Sequence, residues 1–222
     1  MNGEKRAYSV ENVIDADAGA RGVFEHMDGG EKSLAKPALL LHSCCGPCST
    51  AVVERLAGRY RLTIFFYNPN VSDREEYERR KAAQLDFIEQ YNRAANRSEG
   101  LDFIEGAYEP ALFEEAARGF ADAPEGGARC RVCFRLRLEK TAETAVLYGI
   151  DSFATTLTVS PHKDCETITS IGLQIGLRYR IQYLAEDFKK KDGYLRSVEL
   201  SKRYGLYRQS GCGCRFAEHA VR

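Results

Sequence analysis

Apolar positions along the chain alternate between two periods. Residues 38–42, ALLLH, form a short continuous apolar run of the kind that makes a buried strand. The following PCSTAVVERLAGRY spaces its apolar residues as a helix does, with Pro47 in the first turn, where its missing N–H removes no helical bond. RLTIFFYN (61–68) predicts a second strand closed by NPN, and SDREEYERRKAAQLDFIEQYNRAA (72–95) a long helix capped by Ser72 or Asp73. LDFIEGAY (101–108) predicts a third strand, followed by a helix over 109–119, the glycine-containing loop DAPEGGAR, and a helix from Cys130 to Gly149. DSFATTLT (151–158) predicts a further strand, and KDCETITSIGLQIGLRY (163–179) its helix. Strands that alternate with helices imply βαβ crossovers. The expected fold is therefore α/β, a mainly parallel sheet with helices on both faces.

Composition narrows this without changing it. A chain of 222 residues with 44% apolar content can bury a full core. The first 22 residues lack an apolar signal region, and no stretch approaches the roughly 18 consecutive apolar residues of a membrane span, so a cytoplasmic location with no membrane partner is expected. In that compartment thiols stay reduced, and eight cysteines read as metal or redox chemistry rather than a disulfide framework. Seven of them cluster: Cys44, Cys45 and Cys48 in HSCCGPCS, Cys130 and Cys133 in RCRVCF, Cys212 and Cys214 in SGCGCR. Cys165 stands alone and reads as a packed thiol.

The first group follows the first predicted strand, and open α/β sheets bind ligands beyond the carboxyl ends of their strands. Cys130 and Cys133, three apart at a helix start, share a face, so four thiolates can converge from two turns. Four thiolates suit zinc or an iron–sulfur cluster; the adjacent pair Cys44 and Cys45, unusual in zinc knuckles, favours the cluster. CGC brings two cysteines within disulfide reach if its glycine turns. It reads as a redox pair or as a metal half-site. The net charge of zero conceals a basic segment: from 178 to 215 there are ten Lys or Arg against four Asp or Glu, with tyrosines interleaved. That pattern suits single-stranded RNA or a solvated helix face.

LLLHSCCGPCS, YNPNVSDREEYERR, GARCRVCFRLRLEKTA, TTLTVSPHKD and EDFKKKDGYLRSVELSKRYGLYRQSGCGC, in order from Leu39 to Cys214, together resemble the cobalamin-independent epoxyqueuosine reductases of the QueH family. The resemblance implies an adenine nucleotide hydrolase-like (HUP-like) sheet with a C-terminal basic extension, although no SGGxDS phosphate loop is present. It implies reduction of the epoxide of epoxyqueuosine at the wobble position (position 34) of tRNA to the alkene of queuosine. It also implies a four-iron four-sulfur cluster on Cys44, Cys45, Cys130 and Cys133, a redox-active disulfide between Cys212 and Cys214, and a further single metal ion, iron or zinc, for which Cys48 is the candidate ligand. Asp164, with His162 and Lys163 beside it, is the candidate proton donor. Lys189, Lys190, Lys191, Arg196, Lys202, Arg203 and Arg208 are the candidate RNA contacts. The partners are then tRNA and an unidentified electron donor. Residues 1–36 form an N-terminal extension, and 37–222 a single catalytic domain whose redox and tRNA-binding segment is 178–215. An iron–sulfur tRNA sulfur-transfer enzyme, or a noncatalytic zinc-bound RNA-binding module, are the rival classes.

Overall fold

The computed structural model describes residues 36–95 and 100–217. The expected N-terminal extension lies, up to residue 35, outside the described residues. Five strands, β1 (Ala38–Ser43), β2 (Arg61–Phe66), β3 (Asp102–Glu105), β4 (Ser152–Thr155) and β5 (Gln182–Tyr183), make one sheet. Every neighbouring pair is parallel and the spatial order is β3-β2-β1-β4-β5. Chain order reverses direction between β1 and β4. That boundary is where open parallel sheets form their ligand crevice.

Alternation along β1 divides the core. Leu39 and Leu41 face one side and pack with Val52, Val53 and Leu56 of helix α1 (Gly46–Leu56) and Phe87 of α2 (Arg74–Ala94). Leu40 faces the other side, with Phe134, Leu138 and Ala142 of α4 (Ala128–Leu147) and Ile168, Ile171 and Ile175 of α5 (Cys165–Tyr179). Both sheet faces are covered, which is why β1 reads as an unbroken apolar run rather than an alternating one. The short α3 (Pro110–Ala117) precedes α4. No helix among the described residues is long and apolar enough to cross a membrane.

Three elements depart from the pattern-based expectations. The strand expected over 151–158 ends at Thr155, whose side chain accepts from the Leu157 backbone N–H and caps a 3-10 turn, Thr156–Val159. A polar cap thus overrides the β-propensity of the threonines. The strand expected over 101–108 is only four residues long. The basic segment also contains unexpected structure, β5 and helix α6 (Gly193–Arg203), anchored by Phe188, Leu200 and Leu206 in the core against α1. Asp73, one of the two expected caps, accepts from the N–H groups of Glu75 and Glu76 to start α2.

Helices α1 and α2 touch where Cys45 leads into α1. A Cβ built on Gly46 would lie 2.3 Å from the Ala83 carbonyl oxygen of α2. Gly46→Ala is expected to destabilise the fold by about 1–3 kcal/mol, as overpacking does. Gly58→Ala, whose Cβ would meet nothing within 4 Å, should stay within about 0.5 kcal/mol of wild type. Urea unfolding of both variants tests this; equal stabilities would mean that the helices part without strain.

Candidate metal and redox site

β1 ends at Ser43 and α1 begins at Gly46, so Cys44 and Cys45 occupy the turn at the carboxyl end of the strand. Cys45 is the residue before the helix, in extended conformation, and Cys48 follows one turn later. The three sulfurs lie within 4.8 Å of one another, and Cys44 Sγ is 3.8 Å from Cys45 Sγ. Tetrahedral ligands at about 2.3 Å from one ion would sit about 3.8 Å apart, so this group is spaced to hold a metal ion. Hydrogen bonds from Cys45 and Cys48 hold the Cys44 thiol well below its usual range, helped by Lys163 and Arg137. Sharing its proton with Cys44 pushes Cys45 up to about 12 and raises Cys48 as well. The turn itself is fixed by a buried network in which Ser43 and Ser49 both donate to Gln84 Oε1, at 2.6 and 2.8 Å.

Cys130 and Cys133 lie in the first turns of α4. Cys130 packs against the apolar cluster that contains Cys44 and Cys45, whereas Cys133 packs with Cys212 and Cys214. Cys130, Cys133, Cys212 and Cys214 line a narrow cleft of about 30 Å³ together with His162 and Lys163. Cys212 and Cys214 are thiols here, linked by a sulfhydryl hydrogen bond that draws Cys212 down to about 6 and raises Cys214. Between them Gly213 takes φ +81°, where a side chain would be strained and a Cβ would crowd Arg80 and Val71. The loop is clamped from α2 and the segment before it: Arg80 donates to the carbonyls of Gly211 and Cys212, both at 3.0 Å, and Asn70 to Cys212 at 2.9 Å.

Sequence reasoning missed the side chains that make the cleft cationic. Arg137 is buried, donating to His42 Nε2 at 3.2 Å, to Asn68 Oδ1 at 2.6 Å and weakly to Cys133 Sγ. Burial, then Arg137, hold His42 down to about 3, so it stays neutral and accepts that bond. Arg129, equally buried, donates to the carbonyls of Ala121 and Ala123. Neither guanidinium has a carboxylate partner among the described residues. Buried cations without carboxylates call for other anions, and thiolates or a thiolate-bound metal centre supply them. The signal was present in the sequence, since Arg137 follows Cys133 by one helical turn.

Asp164 has a different position from the one its expected role requires. It is the N-cap of α5, accepting from the N–H groups of Glu166 and Thr167 and from the Thr167 hydroxyl, and these bonds keep it ionised. A carboxylate held in that state accepts rather than donates protons; His162 and Lys163 are the neighbours that reach the cleft. Cys165, the first residue of α5, contacts Thr169.

Among the expected RNA contacts, Arg196 is engaged by Glu54 and Glu199, and Arg208 by Ser197, Ser201 and the Tyr194 ring. Lys189 donates to the Lys163 carbonyl at 3.0 Å, and the carbonyls of Lys190 and Lys191 accept from Arg55 in the last turn of α1. Lys190, Lys191, Lys202 and Arg203 are exposed.

The family model described as epoxyqueuosine reductase QueH matches residues 39–220. The chain is 43% identical over 187 residues to epoxyqueuosine reductase QueH of Streptococcus pyogenes, covering 84% of this chain and 72% of the relative. With the protein of that name from Staphylococcus epidermidis it shares 41% identity over 189 residues, 84% and 79% of the two chains. The Thermotoga maritima protein of that name is 35% identical over 182 residues, 81% and 89%. With that match reaching every strand of the sheet and all three cysteine groups, the chain belongs to the epoxyqueuosine reductase QueH family.

Proposed function

We propose that this protein is an epoxyqueuosine reductase acting on tRNA, removing the epoxide oxygen of the wobble nucleoside as water. The observation that carries this reading is the convergence, at the reversal point of a parallel sheet, of a metal-competent cysteine group with a second thiol cleft containing two buried guanidinium ions. A four-iron four-sulfur cluster on Cys44, Cys45, Cys130 and Cys133 fits this donor set, because soft thiolates suit it and the unpaired cations suit its negative charge. Bound there, it would supply single electrons.

The protein's own groups account for the remaining requirements. Converting an epoxide to an alkene and water takes up two electrons and two protons. Closing Cys212 and Cys214 into a disulfide releases two of each, so one dithiol balances one turnover, and an external cytosolic reductant must reopen it. Cys212, with its thiol drawn down to about 6, supplies a thiolate near neutral pH. Lys163 lines the same cleft, and its ammonium is the group we assign to protonate the departing oxygen. Arg137 and Arg129 hold negative charge in the cleft, and the exposed Lys190 and Lys191 are assigned to RNA phosphates. One observation supports a second reading of the metal: the 3.8 Å separation of Cys44 and Cys45 suits a single ion completed by Cys48.

Alanine variants separate the two metal readings. With a cluster on two cysteine pairs, Cys130→Ala and Cys133→Ala lower iron and acid-labile sulfide sharply in anaerobically purified protein, as do Cys44→Ala and Cys45→Ala. With a single ion on the first group, Cys48→Ala removes the metal while the α4 variants keep it, and sulfide is absent throughout.

The dithiol has its own test. Cys212→Ser and Cys214→Ser should each keep the metal and lose multiple turnover, and the double variant should be no worse, since one sulfur cannot form the disulfide. Queuosine content of tRNA from a host lacking its own reductase provides the readout, and full conversion by either variant removes the pair from the mechanism.

Charge removal at Lys190 and Lys191 should weaken tRNA binding and lower the salt slope by nearly one unit for each phosphate that is no longer neutralised. An unchanged slope would leave these lysines as solvated charges.

A further inference from the structure

One side chain joins the loop of Cys212 and Cys214 to the first cysteine group. Gln209 directs its Nε2 amide at Cys45 Sγ, 2.9 Å away across 164 residues of sequence. The other end of the same side chain, Oε1, is buried without a partner. Packing alone does not account for an amide placed so that one end meets a sulfur and the other, buried, meets nothing.

The donor is also held firmly. Two to four residues after it, the loop is clamped by Arg80 and Asn70, and the Ser72 N–H donates to the Gly213 carbonyl at 3.2 Å. Two residues before it, the Tyr207 hydroxyl donates to Glu76 at 2.7 Å. Arg80 in turn is paired with Glu76 at 2.7 Å and almost fully buried. The amide therefore approaches Cys45 from a loop braced on both sides.

We propose that Gln209 is a positioning residue that sets the electron affinity of the metal centre through an N–H···S bond to Cys45. The inference rests on Cys45 being a metal ligand, as assigned above. An electron added to a thiolate-bound metal centre increases the negative charge on its sulfurs. A donor aimed at one of them stabilises the reduced state more than the oxidised state and raises the reduction potential. The same loop carries the dithiol, so one short segment sets both the potential of the centre and the place of its two-electron partner.

The test is a redox titration followed by electron paramagnetic resonance on the full chain, loaded with iron and sulfide. Gln209→Met keeps the length and apolar stem of the side chain but has no N–H. It should retain full iron and the wild-type melting temperature while its midpoint potential falls below that of wild type. Gln209→Glu, which turns a carboxylate toward the sulfur, should fall further, and it carries the comparison if the methionine variant does not accumulate as folded protein. Unchanged potentials with full iron overturn the proposal. So does loss of iron in Gln209→Met, which would make the side chain a prop for assembly. Cys45→Ala provides the separate check: if it keeps its full iron and sulfide, the ligand assignment fails, whatever the glutamine variants show.

Discussion

The guanidinium of Arg137 is the group on which the arrangement of the site depends. From α4 it reaches His42 on β1, Asn68 after β2 and Cys133 on its own helix, and it does so while almost fully removed from water. A buried cation without a carboxylate is tolerated only if its surroundings supply negative charge or strong acceptors. His42, kept neutral first by burial, accepts from it, Asn68 turns its oxygen to it, and its charge adds a small share to the hydrogen bonds from Cys45 and Cys48 that favour the Cys44 thiolate. The electrostatic character of the cleft follows from those requirements.

Strand order supplies a second constraint. Reversal of strand order between β1 and β4 leaves a crevice at their carboxyl ends, and both edges of it bear on the cysteines. The Cys44 backbone N–H approaches the Thr156 hydroxyl at 3.4 Å, just after β4, and Lys163 lies on the loop that follows. The third contribution comes from the far end of the chain, where Arg80 and Asn70 capture the carbonyls of the Cys212 turn. The turn after the central strand, a helix N-terminus and a C-terminal loop thus supply one group each. Function is distributed because no single segment places seven thiols together.

Several site features were legible beforehand in particular residues. The dense cysteine groups, the helix face shared by Cys130 and Cys133, and the alternation of strands and helices all follow from local rules of spacing. Asp164 shows where such reading goes astray. In SPHKD it resembles an active-site acid, yet its position before α5 and the Thr167 two residues past Cys165 make it a cap. Its neighbour Lys163, with no such helix to cap, reaches the cleft instead.

The sequence by itself determined the α/β class, the mainly parallel tendency of its strands and the identity of the thiols, because each depends on periodicity or residue type within about twenty positions. Only the tertiary structure decided that Cys133 faces Cys212 and Cys214, and that Gln209 meets Cys45. Those pairings span up to 164 residues. They are set by strand order and by where two buried arginines find acceptors, and neither leaves a mark in local spacing.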